Sequence, residues 1–233
     1  IGRGWGQGPQ HAQSLESWFA HIPGLKVVMP SNSYNAKGLL ISSVEDDNPV
    51  IFLEHRWLHN TFDNVPSEGY RVPIGKARLA RKGSDVTIVS HSYMVLESLR
   101  CADVLAEHGI SVEVVDLMSI RPLDSETVLN SVSKTKRLVV ADNGWMHFGV
   151  SSEIISIVTE NIFDKLLCAP VRIGLNDSPS PSTRALANHY YPRAKNIAKV
   201  ICEMLDKTVD LNILFPQGDI PLDVPDPSFR GPF

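Results

Sequence analysis

His11 closes a run in which glycine takes every second place, Gly2, Gly4, Gly6 and Gly8, and stands just before an apolar stretch. A histidine can donate, accept or carry charge near neutral pH, so at a loop-to-helix junction it suits acid/base work or substrate orientation. A histidine merely hydrogen-bonded at a helix start fits the same spacing. The glycines lack the preceding strand and the spacing of a dinucleotide fingerprint, so they read as backbone free to take positive φ and approach another surface. His55 and His59 are four apart, but PVIFLEHRW reads as a strand entering a loop, which does not place two imidazoles on one helical face. Asp46, Asp47, Asn48 and Pro49 form a turn where a helix ends with unpaired carbonyls, either a solvated stop or a seat for a hard cation. Asp142 ends a strand, where α/β folds commonly place ligands, and it could equally cap the next turn.

The elements that must position these residues follow from periodicity. Leu15, Trp18 and Phe19 give Ser14 to Ala20 one helical face, LKVVMP is a short strand, Asn32 or Ser33 can cap a helix through AKGLLISSVED, and PVIFLE is a second strand. Residues 60–84 lose periodicity around Pro66, Gly69, Pro73 and Gly83 and read as a connector. Beyond it SDVTIVS, SVEVVDL, RLVVAD and APVRIG alternate with helical stretches, the last near NIAKVICEML, which predicts a mostly parallel sheet covered on both faces. The tail from Pro216 to Phe233 carries five prolines and reads as an extended arm. It is either mobile or docked on a partner subunit through Phe229 and Phe233.

Composition narrows the classes. With 233 residues, 43% hydrophobic and 21% charged, the chain can bury a core. A net charge of −4 without a basic cluster argues against nucleic acid. No run approaches the ~20 apolar residues that cross a bilayer, and no signal-like segment opens the chain, so a cytoplasmic location is expected. Cys101, Cys168 and Cys202 are odd in number and widely spaced, and are expected to be buried thiols.

GPQHAQSLESWFAHIPGLKVVMPS, AKGLLISSVEDDNPVIFLEH, VPIGKARLARKGSDVTIVSHSYMV, VEVVDLMSIRPLD and DNGWMHFGVSSEI, in this order, resemble the beta subunit of thiamine-diphosphate-dependent 2-oxo-acid dehydrogenases, the last block most of all the pyruvate dehydrogenase branch. The resemblance implies an α/β fold: the C-terminal part of a pyrimidine-binding transketolase-type domain over 1–60, a linker over 61–84, a complete transketolase C-terminal-type domain over 85–206, and a Pro-rich tail over 207–233. It implies thiamine diphosphate and magnesium shared with an alpha subunit, a second beta subunit, a lipoyl-bearing acyltransferase core and a 2-oxo-acid substrate. His11 matches the family histidine that faces the active site. Ser43, Val44, Asp46 and Asn48 match a monovalent-cation site, so potassium held mainly by backbone oxygens is implied.

The family's activating glutamate belongs upstream of the glycine loop, before Ile1, so the chain is expected to be N-terminally truncated and inactive by itself. After LEH the family continues with an acidic residue and Leu-Tyr, whereas here Arg56, Leu58 and His59 fill that segment. Two other readings stay open: a transketolase-like carbon-transfer protein of carbohydrate synthesis, and a non-catalytic dimerisation or docking module.

Overall fold

The computed structural model describes residues 1–2, 6–59, 61–216, 222 and 224. Gly4, Phe229 and Phe233 lie outside the described residues. The first third places two short helices, α1 (Pro9–Ala12) and α2 (Glu16–His21), before strand β1 (Lys26–Val28), helix α3 (Ser33–Val44) and strand β2 (Val50–Phe52). Asn32 caps α3 as its residue type requires, its side chain accepting the Asn35 amide at 2.8 Å. Strands β1 and β2 pair in parallel, and β6 (Ser119–Arg121) adds to the other edge of β1 antiparallel, so residues far along the chain complete this three-stranded sheet.

The second sheet has five strands in the order β3 (Arg78–Arg81), β5 (Val112–Asp116), β4 (Val86–Ser90), β7 (Leu138–Trp145), β8 (Val171–Leu175), parallel except for β3 at its edge. Strand alternation sends side chains to opposite faces. Val86, Ile88, Val112 and Val114 pack with α4 (Tyr93–Ala106) and α8 (Ala194–Met204). Val89, Val115, Leu138 and Val140 pack with α5 (Ser125–Thr135) and α6 (Val150–Ile162).

Three expectations are corrected. Strands β3 and β6 were not expected, and β3 falls inside the stretch read as a connector, because strands of three or four residues leave little periodicity. Helix α2 begins at Glu16, which turns Trp18 outward at 72% exposure and leaves Glu16, Phe19 and Ala20 facing in. Cys101 and Cys202 are buried thiols, but Cys168 is partly exposed. In the tail, Leu222 donates its amide to Asn188 at 3.0 Å, and Arg193 donates to the carbonyls of Leu222 and Val224 at 2.7 and 2.5 Å. The described part of the arm therefore docks on its own chain. Among the described residues no helix is long and apolar enough to cross a membrane.

Candidate functional site

Parallel pairing of β4 with β7 sets Ser90 opposite Ala141, so the next residues, His91 and Asp142, meet at the carboxyl edge of the sheet. His91 Nε2 lies 3.3 Å from Asp142 Oδ1, with both side chains about 2% exposed or less. Asp142 is held by the amide of Gly144 donating to Oδ1 at 2.9 Å and the amide of Ser151, in the first turn of α6, donating to Oδ2 at 2.8 Å. The capping reading of Asp142 is met, since it holds the following turn and helix start, whereas β7 runs on to Trp145, so Asp142 lies within the strand and not at its end. Asn143 donates its amide to the His91 carbonyl at 2.6 Å and stands 3.2 Å from Nδ1.

Helix α2 lowers Glu16 onto this pair. One ligand-capable atom each from Glu16, His91 and Asp142 lies within 4.8 Å of the others, and all three residues are buried. Among the described residues neither Glu16 oxygen has a hydrogen-bond partner, nor does His91 Nε2. Burial, then the neighbouring Asp142, pushes the Glu16 carboxyl up to about 8, so it holds its proton at neutral pH. Burial also lowers His91, against the pull of Asp142 and Asp116, which favours a neutral ring.

Beside this cluster an aromatic wall closes over His55. The ring stacks on Tyr93 at 5.0 Å and meets Trp57 edge-on at 5.6 Å, and Nδ1 accepts the Trp57 amide at 3.1 Å. Burial, and after it the nearby Arg193 and Arg56, hold His55 well below the usual histidine range. The Arg193 guanidinium lies over Trp57 at 4.6 Å and reaches Glu97 Oε1 at 3.0 Å. The cavity between Ala12, Ser14, His55, Asp142 and Asn143 measures about 20 Å³, the space of one water.

His11 lies on the exposed side of α1, while its neighbour Ala12 lines the cavity. Gly2 and Gly8 are held by close packing. Gly2, at φ +84°, and Gly8, at φ +63°, lie so near His55 and Ser182 that a β-carbon would stand 2.4 and 2.3 Å from their side-chain atoms. His55 and His59 do different work, one stacked in the interior and the other 3.9 Å from Glu54 at the surface. Ser43 and Val44 end α3, and the Ser43 hydroxyl donates to the Leu39 carbonyl at 2.7 Å. Asp46 takes Lys26 at 2.5 Å and the Asn48 amide at 2.9 Å, and these hydrogen bonds, Lys26 first, hold it down at about 2. Glu16 and His91 were missed by sequence reasoning. The available signal was that His91 directly follows an apolar strand.

Residues 2–60 match "Transketolase, pyrimidine binding domain" and residues 75–197 match "Transketolase, C-terminal domain". The chain belongs to the transketolase family. It is 42% identical over 194 residues to the mitochondrial pyruvate dehydrogenase E1 component subunit beta of Dictyostelium discoideum, covering 82% of this chain and 54% of that one. It is 41% identical over 198 residues to the beta subunit of acetoin:2,6-dichlorophenolindophenol oxidoreductase of Cupriavidus necator, covering 85% and 59%. The chain thus spans little more than half the length of these relatives. A solved split-gene transketolase, an inactive beta4 tetramer, superposes with a TM-score of 0.71 at 24% identity, covering 85% of this chain and 63% of that one, which shows the shared fold.

Thiamine diphosphate, implied by this family, does not fit at this buried cluster: the Glu16 carboxyl, without a hydrogen-bond partner among the described residues, is sealed beside Asp142, and the adjoining cavity of about 20 Å³ has no room for an aminopyrimidine ring.

Proposed function

We propose that this chain is the beta-subunit part of a 2-oxo-acid dehydrogenase of pyruvate dehydrogenase type, which decarboxylates pyruvate or a related 2-oxo acid and passes the acyl group to a lipoyl arm. The observation that carries this reading is identity near 40% to dehydrogenase beta subunits across both domains. Its partners on this reading are an alpha subunit, a second beta subunit and the lipoyl-bearing acyltransferase core. Thiamine diphosphate and magnesium are shared with the alpha subunit, and the cofactor supplies the carbanion chemistry when bound.

What this chain brings is positioning. His11, exposed on α1 and preceded by Gly2 and Gly8 packed against His55 and Ser182, is available to orient substrate or lipoyl group, or to move a proton. A potassium ion at the end of α3 would take carbonyl oxygens near Ser43 and Val44 beside Asp46 and Asn48, where the last helical carbonyls need partners. Lys26 already neutralises the Asp46 carboxylate, so such an ion would stabilise rather than catalyse. The test is reconstitution of the chain, extended upstream, with an alpha-type subunit. Release of carbon dioxide from a 2-oxo acid is expected. Transfer of two-carbon units between sugars without such release would replace this reading with the carbon-transfer one, and activity with neither would leave the docking module.

A further inference from the structure

Three buried groups, Glu16, His91 and Asp142, converge from α2, from the end of β4 and from β7 without a full set of hydrogen bonds among the described residues. We propose that they form a structural site for a first-row divalent metal ion, which pins the short N-terminal helix to the C-terminal sheet. One imidazole and two carboxylates suit zinc, manganese, iron or cobalt better than calcium or magnesium. Ligand atoms around an ion at about 2.1 Å stand roughly 3 to 4 Å apart, which is the scale of the 3.3 Å His91–Asp142 separation.

The surroundings are those of a built site. Asp142 is oriented by two amides, the outer support that metal-binding carboxylates require. A β-carbon on Gly144 would stand 2.7 Å from Glu16 Oε1, and one on Gly149 would stand 3.0 Å from Asp142 Oδ2, so glycines keep both carboxylates' places open. Metal on His91 Nε2 leaves the ring proton on Nδ1. Loading therefore moves the Asn143 side-chain nitrogen, which lies 3.2 Å from Nδ1, off that proton while it keeps its hydrogen bond to the His91 carbonyl. The ion displaces the proton held by Glu16, and because α2 seals the cluster, it enters as the chain folds.

The full chain, purified with any subunit it assembles with, is refolded with and without zinc or cobalt and then desalted. About one equivalent more metal per chain is expected in the wild type than in Glu16→Gln, with affinity in the variant reduced at least ~100-fold. Bound cobalt should show a ligand-field absorption that His91→Gln abolishes. Thermal midpoints keep the test meaningful even where a variant folds differently. In chelator Glu16→Gln should be at least as stable as the wild type, because it removes a buried carboxyl, and with zinc the order should reverse. Equal metal content in both proteins, or a midpoint difference that zinc leaves unchanged, would overturn the proposal in favour of a cluster that only shares a proton.

Discussion

At the scale of single residues, Glu16 couples folding to protons. Its carboxyl titrates near 4.5 in the unfolded chain and near 8 in the folded one. Below both values the two states carry the same proton and nothing is lost. Between them the unfolded state has released a proton that the folded state keeps, so stability falls as pH rises from about 4.5 to about 8 and levels off beyond. In chelator, the thermal midpoint of the wild type should therefore decline between pH 5 and 8, and Glu16→Gln should remove that part of the slope. A wild-type midpoint independent of pH, or one whose slope survives in the variant, would place the coupling elsewhere. His11 makes the opposite prediction. It is exposed, and its side chain forms no hydrogen bond or ion pair among the described residues, so His11→Ala should leave stability within about 0.5 kcal/mol, measurable by urea denaturation. In the reconstituted dehydrogenase the same change should lower kcat by about 10²-fold or more if the imidazole moves a proton. Loss of stability with unchanged kcat would make His11 a helix-start residue and nothing more.

At the scale of elements, close approach decides the effect of Gly38. This residue lies in α3, where alanine would ordinarily gain about 1 kcal/mol over glycine. Here a β-carbon would stand 2.5 Å from Val72 Cγ2 and 3.0 Å from the Val72 backbone nitrogen, and the backbone cannot step aside as a side chain can. Overpacking of this kind typically costs ~1–3 kcal/mol, so Gly38→Ala should lower the denaturation midpoint despite its better helix propensity. A higher midpoint would mean that residues 70–74 yield freely. The contact also shows what the sequence could reveal. Helices α4, α5, α6 and α8 and strands β4, β5, β7 and β8 were readable because each repeats its apolar side chains at 3.6 or 2 residues along a sufficient length. Asp142 stood out in the sequence as an acidic residue directly after an apolar run. Glu16 and His91 did not, because their meeting depends on the β4–β7 register and on the tilt of a six-residue helix, both set by tertiary packing. Glu16 lay hidden for a further reason: an acidic residue in a helix's first turn has an ordinary explanation in the helix dipole.

At the scale of the whole molecule, the two sheets are not independent, since β6 leaves the second unit to pair with β1 of the first. The Arg121 side chain reinforces the junction by donating to the Ala20 carbonyl of α2 at 2.8 Å. Beside it opens a cavity of about 620 Å³ walled by Ala20, His21, Ile120, Leu123, Phe148 and Glu153. Phe148 is 96% exposed there and holds a left-handed backbone, φ +57°, which a phenylalanine does not adopt without some compensating contact. Trp18 is exposed on the helix that also contributes to this wall. Large apolar side chains gathered at a concave surface are the composition of an interface core, where aromatic residues are enriched and lysine is depleted. On the proposed function a partner subunit covers this surface, and Phe148→Ala should weaken assembly by at least about 1 kcal/mol, or roughly fivefold in dissociation constant. Sedimentation of the wild type and the variant with an alpha-type subunit measures this directly. Because Phe148 is outside the core, the variant's own thermal midpoint should not fall. Unchanged assembly would move the partner's footprint off the α2–α6 cavity and leave the strain at Phe148 to be accounted for within the chain.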